Sequence, residues 1–199
     1  MIPKGWEVVS LNQFADINMG QSPKSEYYNN QGNGLPFHQG IKDFGFRFPS
    51  HQTFSTIEKK VANSGDILLS VRAPVGRMNV ADQSIVIGRG LCGLRSKSGH
   101  QAFLYYKLRD VFKVIDSMGS GTVFNSINKK DVENLKVLVP EDSTLQKFEE
   151  LASKWDKQIK CNTEESLILQ QTRDYLLPKL LSGEIDVSEA KETVESALQ

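Results

Sequence analysis

Ser143-Thr144-Leu145-Gln146-Lys147-Phe148-Glu149-Glu150-Leu151-Ala152-Ser153-Lys154-Trp155 opens a run that meets no glycine or proline until it passes Leu177. Ser143 is a favourable N-cap, and Gln146 three residues on completes the pattern of a capping box, so the run predicts one long helix. Written as heptads, one set of positions reads Leu145, Ala152, Ile159, Ser166, Arg173 and Leu180, and the other reads Phe148, Trp155, Asn162, Leu169 and Leu176. Apolar ends flank a polar middle. At ~1.5 Å per residue, Thr144 to Leu177 spans roughly 50 Å, more than the width of the domain before it, so the seam fits a coiled coil. The alternative is an ordinary long helix packed on its own chain. Asn162, Ser166 and Arg173 on the seam would disfavour arbitrary partners and help fix register. The next breakers are Pro178 and Gly183; beyond them Glu184, Asp186, Glu189, Glu192 and Glu195 face a single Lys191, an acidic tail.

Working outward, the chain has 199 residues, 39% of them hydrophobic, which suffices for one ordinary domain and an appendage. Lys plus Arg is 24 and Asp plus Glu is 24. That zero hides an asymmetry: up to Pro140 there are 17 basic and 11 acidic residues, net +6, and from Glu141 onward 7 basic and 13 acidic, net −6. Such a division hints at a polyanion partner for the first part alone. Cys92 and Cys161 lie far apart with no C-x-x-C, which argues against a zinc site or disulfide framework and fits a reducing cytoplasm. No stretch approaches the ~18 apolar residues of a membrane span, and the first residues have no apolar h-region, so a soluble cytoplasmic protein is expected.

From Trp6 to Val139 the texture is mixed. The runs 6–9, 67–71, 84–87 and 135–139 are β-rich and separated by Gly, Asn, Asp and Pro clusters. One helix is predicted over Gln101 to Met118, with Phe103, Tyr106, Val111, Val114 and Ile115 near 3.6 spacing and Gly119 as its stop. Tyr27 to Gly34 reads as a polar loop. The expected class is α+β: residues 1–142 form a domain with a twisted, irregular sheet and a few helices, 143–183 a long coiled-coil-type helix, and 184–199 the acidic tail.

A catalytic constellation is hard to find. Asp43 with Glu58-Lys59-Lys60 imitates the Asp and E-x-K pattern of metal-dependent nucleases, yet the triplet sits in a polar segment without a convincing strand, and an exposed turn explains it better. Gly119-Ser120-Gly121-Thr122 could form a phosphate nest but lacks the Gly-Lys-Ser/Thr ending of a P-loop. His38, His51 and His100 have no partner at triad or metal spacing. DNA readout needs other groups: Arg and Lys for phosphates and guanine edges, Asn and Gln for adenine edges, Tyr for backbone contacts. Gln21, Ser22, Lys24, Tyr27, Tyr28, Asn29 and Asn30 supply that mixture in one segment, and His38, Gln39, Lys42, Arg72, Arg77 and Arg89 add to it.

Several motifs in order resemble the specificity (S) subunits of type I restriction-modification systems. They are Ile2-Pro3-Lys4-Gly5-Trp6 with Leu11 and Ile17-Asn18-Met19-Gly20, the block Gly65-Asp66-Ile67-Leu68-Leu69-Ser70-Val71-Arg72-Ala73-Pro74-Val75-Gly76, and Ile87-Gly88-Arg89-Gly90. Gly119 to Ile127 and Leu176 to Ile185 complete the set. The resemblance covers nearly the whole chain. It implies a target recognition domain that binds double-stranded DNA, followed by a conserved helix. Family members usually carry this pair twice, reading two halves of a bipartite site; this sequence carries it once, a half-length form.

The resemblance also implies a non-catalytic chain, binding no cofactor, that directs a methyltransferase (M) subunit, with S-adenosylmethionine, and a restriction (R) subunit, with ATP and Mg²⁺. No Asn/Asp-Pro-Pro-aromatic methyltransferase motif occurs here. Pairing of two chains through an antiparallel coiled coil would yield a homodimer suited to an inverted repeat, with Leu145, Phe148, Trp155, Ile159, Leu169 and Leu176 carrying the contact. Some of these residues could meet the M subunit instead. Conserved blocks such as Ser70 to Gly76 are expected to be scaffold, which leaves base reading to the loops. The alternatives are a protein-assembly module acting through its helix without DNA, and a metal-dependent nuclease using Asp43, Glu58 and Lys60.

Overall fold

The computed structural model describes residues 2–117 and 126–185, without the side chains of 115–117. It is an α+β structure in which contacts divide the chain into two units, Met1–Ser153 and Lys154–Gln199. In chain order the first unit contains β1 (Glu7–Ser10), α1 (Leu11–Phe14), β2 (Ala15–Met19), β3 (Tyr28–Asn29), β4 (Leu35–His38), β5 (Phe54–Ser55) and β6 (Val61–Ala62). Then follow β7 (Ile67–Ser70), β8 (Met78–Val80), β9 (Ile85–Ile87), β10 (Leu91–Ser96), α2 (Gln101–Ser117), α3 (Lys129–Asn134) and β11 (Lys136–Val139). Helix α4 (Asp142–Leu181) begins in this unit and continues into the second.

Among the described residues the strands form three sheets where the sequence suggests one irregular sheet: a β1-β11 ribbon, a four-stranded sheet β2-β10-β7-β8, and a five-stranded sheet β3-β5-β4-β9-β6. All pairings are antiparallel except β4 with β9, which puts Phe37 opposite Val86 and His38 opposite Ile87. Strand β7 shows why its sequence is apolar throughout. Ile67 and Leu69 enter a core with α1, α2, Val132, Val137 and Leu145, whereas Leu68 points the other way into a cluster with Ala62, Ile85, Ile87 and Leu91. A strand covered on both faces needs apolar residues at every position, so alternation disappears. Cys92 lies in the first cluster, and burial pushes its thiol up to about 12, which leaves it inert as a nucleophile.

Helix α2 occupies the expected span but buries a different face. Leu104, Tyr105, Leu108 and Phe112 face the core together with Phe103, while Tyr106 and Val111 are half-buried and Val114 is 45% exposed. Two short helices escape the sequence reading. In α3, Asn128 Oδ1 accepts from the Asp131 N–H at 3.1 Å and Asp131 Oδ2 accepts from the Asn128 N–H at 2.8 Å, a reciprocal cap.

The expected capping box of Ser143 and Gln146 does not form. The helix starts at Asp142, which puts Ser143 inside its first turn; Glu141 Oε1 accepts from the Ser143 hydroxyl at 3.0 Å, and Gln146 donates instead to Asp142 Oδ2 at 2.9 Å. An acidic residue also suits the positive end of the helix dipole. At the other end Pro178 is accommodated inside α4, which closes only at Gly183: its φ is +73°, its N–H donates to the Leu180 carbonyl and the Glu184 N–H to the Lys179 carbonyl, a Schellman cap. The nest at 119–122, most of the Gly119 to Ile127 motif, and all of the acidic tail beyond Ile185 lie outside the described residues.

The buried face of α2 predicts a sharp contrast. Leu108→Ala should destabilise the chain by about 2–5 kcal/mol in urea unfolding, whereas Val114→Ala should cost less than about 1 kcal/mol. Equal losses would contradict this facing.

Candidate nucleic-acid interface

Three connections separated in sequence are laced together at one edge of the sheets. The Gly20 N–H donates to the Leu91 carbonyl at 3.0 Å and the Gln21 N–H to the Ile87 carbonyl at 2.9 Å. The Gly88 N–H donates to the His38 carbonyl at 2.8 Å and the Gly90 N–H to the Gln39 carbonyl at 3.0 Å. Glycine is required here for proximity. A Cβ on Gly20 would lie 2.2 Å from the Gly88 carbonyl oxygen, one on Gly88 2.9 Å from the Gln39 Cα, and one on Gly90 2.4 Å from the Gln39 carbonyl oxygen. Backbone cannot retreat as a side chain can, so each glycine fixes one strand-to-loop crossing.

Side chains complete the clamp. The Ser22 hydroxyl donates to Gln39 Oε1 at 2.8 Å and accepts from the Arg89 N–H at 3.2 Å. A neighbouring cleft of about 210 Å³ is lined by Gln39, Gly40, Ile41, Ser70, Arg72, Ala73 and Gly90. Ser70 holds the loop that carries Arg72: its hydroxyl donates to the Pro74 carbonyl at 2.7 Å and accepts from the Arg77 N–H at 2.9 Å. Gln21, Gln39, Arg72 and Arg89 are exposed on this edge. Arg89 also reaches Tyr28 electrostatically: burial holds the Tyr28 phenol above its usual value, and the Arg89 charge offsets part of that rise.

The remaining expected contacts divide into four groups. His38 is corrected from a surface contact to a core residue. It is 1% exposed, its Nε2 shares a proton position with His51 Nδ1 at 3.0 Å, and its Nδ1 lies 3.9 Å from Asp43 Oδ2. Two others are engaged in building their own segment, which holds β3 where the sequence suggests an unbroken loop. The Tyr28 hydroxyl donates to the Pro23 carbonyl at 2.7 Å, with its ring stacked on Phe37, and Asn29 accepts from the Gln31 and Asn33 N–H groups while donating to the Asn33 carbonyl. Lys24 is exposed and 3.8 Å from Glu26; Lys42 is exposed and Tyr27 half-buried. Arg77 lines a different cleft, with Arg47, Arg109 and Lys113. Glu58 and Lys60 sit exposed in an irregular segment before β6, while Asp43 lies against His38, so the nuclease pattern is not assembled by this contact.

Sequence spacing gives no sign of the pairing of His51 with Asp82, whose carboxylate oxygens lie 3.0 and 3.1 Å from His51 Nε2. Burial alone would raise the Asp82 carboxyl, but the hydrogen bond and charge of His51 outweigh it and hold the group below its usual value. The three side chains form a line, Asp82-His51-His38, that ends in the core. Among the described residues no group of three or more His, Cys, Asp or Glu side chains is placed to hold a metal ion.

The family of type I restriction modification DNA specificity domains matches residues 3–169. The chain belongs to that family. It is 36% identical over 190 residues to the putative type I restriction enzyme MjaX specificity subunit of Methanocaldococcus jannaschii, covering 94% of this chain and 45% of the relative. It is 27% identical to the MjaIX specificity subunit of the same organism, covering 94% and 46%. The HsdS subunit from Thermoanaerobacter tengcongensis has a similar structure, with a TM-score of 0.67 and 34% identity over 93% of this chain and 47% of that one. The chain thus spans about half the length of the specificity subunits it matches. Gly20, Ser70, Gly88 and Gly90 are among the positions that hold the loops of the laced edge.

Burial lowers the pKa of His38 from 6.5 to about 4; the neighbouring His51 lowers it further and Asp43 and Asp82 oppose. The unfolded chain therefore takes up a proton that the folded chain refuses. Stability from this group is intact above about pH 6.5 and is lost as pH falls toward 4, by roughly 3 kcal/mol in all at 1.36 kcal/mol per unit. NMR titration should place His38 near 4, and His38→Gln should flatten the pH dependence of the urea midpoint across that window. A value near 6.5 would contradict the buried placement.

Proposed function

We propose that the chain is a sequence-specific DNA recognition subunit of a type I restriction-modification complex. The observation that carries this reading is the exposure of Gln21, Gln39, Arg72 and Arg89 on one edge whose backbone is fixed by three glycine contacts. Base reading demands polar groups held in register, because a loosely placed amide or guanidinium loses the geometry that separates one base pair from another. Arg72 and Arg89 suit phosphate oxygens or guanine, and Gln21 and Gln39 suit base edges. Gln39 Oε1 is engaged by Ser22, so a two-point contact with adenine requires that bond to exchange.

In this reading residues 1–142 recognise DNA, 143–183 make the spacer and protein contacts, and 184–199 form an acidic tail. The chain itself does no chemistry and holds no cofactor. It works in the cytoplasm, directing M subunits, which bring S-adenosylmethionine, and R subunits, which bring ATP and Mg²⁺. One recognition domain reads one half-site, so two chains pairing through the helix would read an inverted repeat. The apolar side chains of α4 support such pairing: Trp155, Leu167, Ile168, Leu169, Tyr175 and Leu177 are exposed, and Ile159 and Leu176 are half-exposed. Phe148 is 39% exposed, with its ring edge-on to Phe103 and Tyr106. Leu145, by contrast, is 4% exposed in the core of the first unit and is withdrawn from the pairing set.

Binding of the chain to duplex DNA should weaken steeply with salt, and Arg72→Gln or Arg89→Gln should each lower the slope of log K against log salt by about 0.9 if the residue neutralises a phosphate. An unchanged slope and affinity would make both residues structural. Light scattering at micromolar concentration should give a dimer that Leu169→Glu with Leu176→Glu dissociates. A monomer that stays unchanged on adding M subunits would overturn the pairing.

A further inference from the structure

The cleft of about 210 Å³ at the laced edge carries an unbalanced set of hydrogen-bonding groups. Four carbonyls of its lining residues are already engaged. The Gln39 carbonyl accepts from the Gly90 N–H at 3.0 Å, the Gly90 carbonyl from the Val71 N–H at 2.9 Å, the Ile41 carbonyl from the Phe44 N–H at 3.0 Å, and the Ser70 carbonyl from the Gly76 N–H at 3.1 Å. The Ser70 hydroxyl is used in both roles, with Pro74 and Arg77. Gln39 Oε1 is held as well. The Ser22 oxygen takes the Arg89 N–H at 3.2 Å and its one proton goes to Oε1 at 2.8 Å, which turns the amide with Nε2 away from Ser22. Gly88 leaves room for that bond: a Cβ there would stand 3.0 Å from Gln39 Oε1 and 3.1 Å from the Ser22 hydroxyl oxygen. Among the described side chains of the cleft, Gln39 Nε2 and the Arg72 guanidinium remain unengaged. Both residues are exposed, and both groups can only donate.

We propose that this cleft reads the guanine of a G·C pair in the major groove, with Arg72 and Gln39 Nε2 as donors and Ser22 as the positioning residue that fixes which end of the Gln39 amide meets the base. The inference rests on the DNA reading of the chain given above and narrows it. In the major groove guanine presents two neighbouring acceptors, N7 and O6. Adenine pairs one acceptor with a donor, thymine offers one acceptor beside a methyl group, and cytosine offers a donor. Two donor-only side chains therefore satisfy guanine at both atoms, whereas on adenine or cytosine a donor meets a donor in a desolvated contact, which costs more than a bond left unmade. An unrestrained glutamine would read adenine with the two ends of its amide together. The Ser22 bond occupies the carbonyl end and must break before that contact forms.

The test uses the full chain with its M subunit and selects bound duplexes from a randomised pool, read by sequencing. Wild type should select guanine at one position that Arg72→Gln and Gln39→Leu both relax. Each variant should lower affinity for the guanine duplex roughly 10- to 100-fold while the other positions keep their preferences. At that position 7-deazaguanine, which lacks N7, should cost wild type about tenfold, and inosine, which keeps N7 and O6, should bind as guanine does. Ser22→Ala should admit adenine beside guanine at that position alone, and Ser22→Thr, which keeps the hydroxyl, should retain the guanine preference. Unchanged urea midpoints separate these effects from misfolding. If wild type selects a motif but the Arg72 and Gln39 variants relax no position, relax one occupied by adenine or a pyrimidine, or weaken every duplex equally, the guanine reading is overturned and the DNA reading survives. Unchanged selectivity in Ser22→Ala would overturn the positioning role. If wild type enriches no sequence, the guanine reading and the DNA reading both fall.

Discussion

Close backbone approach at Gly20, Gly88 and Gly90 is the constraint on which the proposed reading surface depends. None of the three has a positive φ; each is glycine because another main chain occupies the space a side chain would need. The contact converts three connections that could move independently into one edge continuous with the sheets. Gln21, Gln39 and Arg89 then inherit the rigidity of β2, β4, β9 and β10. A surface of this kind can vary its exposed side chains while retaining its frame, which suits a family whose members must differ in what they read.

The frame is itself anchored by burial on both sides of the four-stranded sheet. Leu68 packs one way and Ile67 and Leu69 the other, and Gly93 lets β10 come near the next sheet, where its Cβ would stand 3.3 Å from that of Ala62. The start of α4 belongs to the same core. Leu145 is buried there, and Glu149 accepts from the Ala102 and Phe103 N–H groups at 3.0 and 2.9 Å, satisfying the open donors at the start of α2. Helix α4 is therefore tied to the recognition domain by packing and by charge-assisted hydrogen bonds, and exposes its apolar side chains only later.

Much of this was legible in the sequence. Apolar runs flanked by turn residues give β7, β9 and β11 nearly to the residue, and the absence of breakers gives α4. The facing of α2 was not legible, because apolar residues occupy most positions from Ala102 to Val114 and several spacings fit; tertiary packing chose Leu104, Leu108 and Phe112. The box at the start of α4 did not form because Glu141 takes the Ser143 hydroxyl and Asp142 takes the Gln146 amide. Of the candidate DNA contacts, exposed residues next to glycines were placed together, while His38, Tyr28 and Asn29 were absorbed into the fold. Polar side chains serve structure and recognition alike, and composition alone does not separate the two uses. The pairing of His51 with Asp82 joins residues far apart in sequence, so no local pattern announces it.

In the proposed dimer, two copies of this recognition domain paired through the helix specify the DNA site. Methylation-site mapping in cells that express this chain with its M subunit tests it most directly. Methylation is expected at a bipartite motif whose two halves are inverted repeats. An asymmetric motif with two different halves, or no methylation at all, would contradict it.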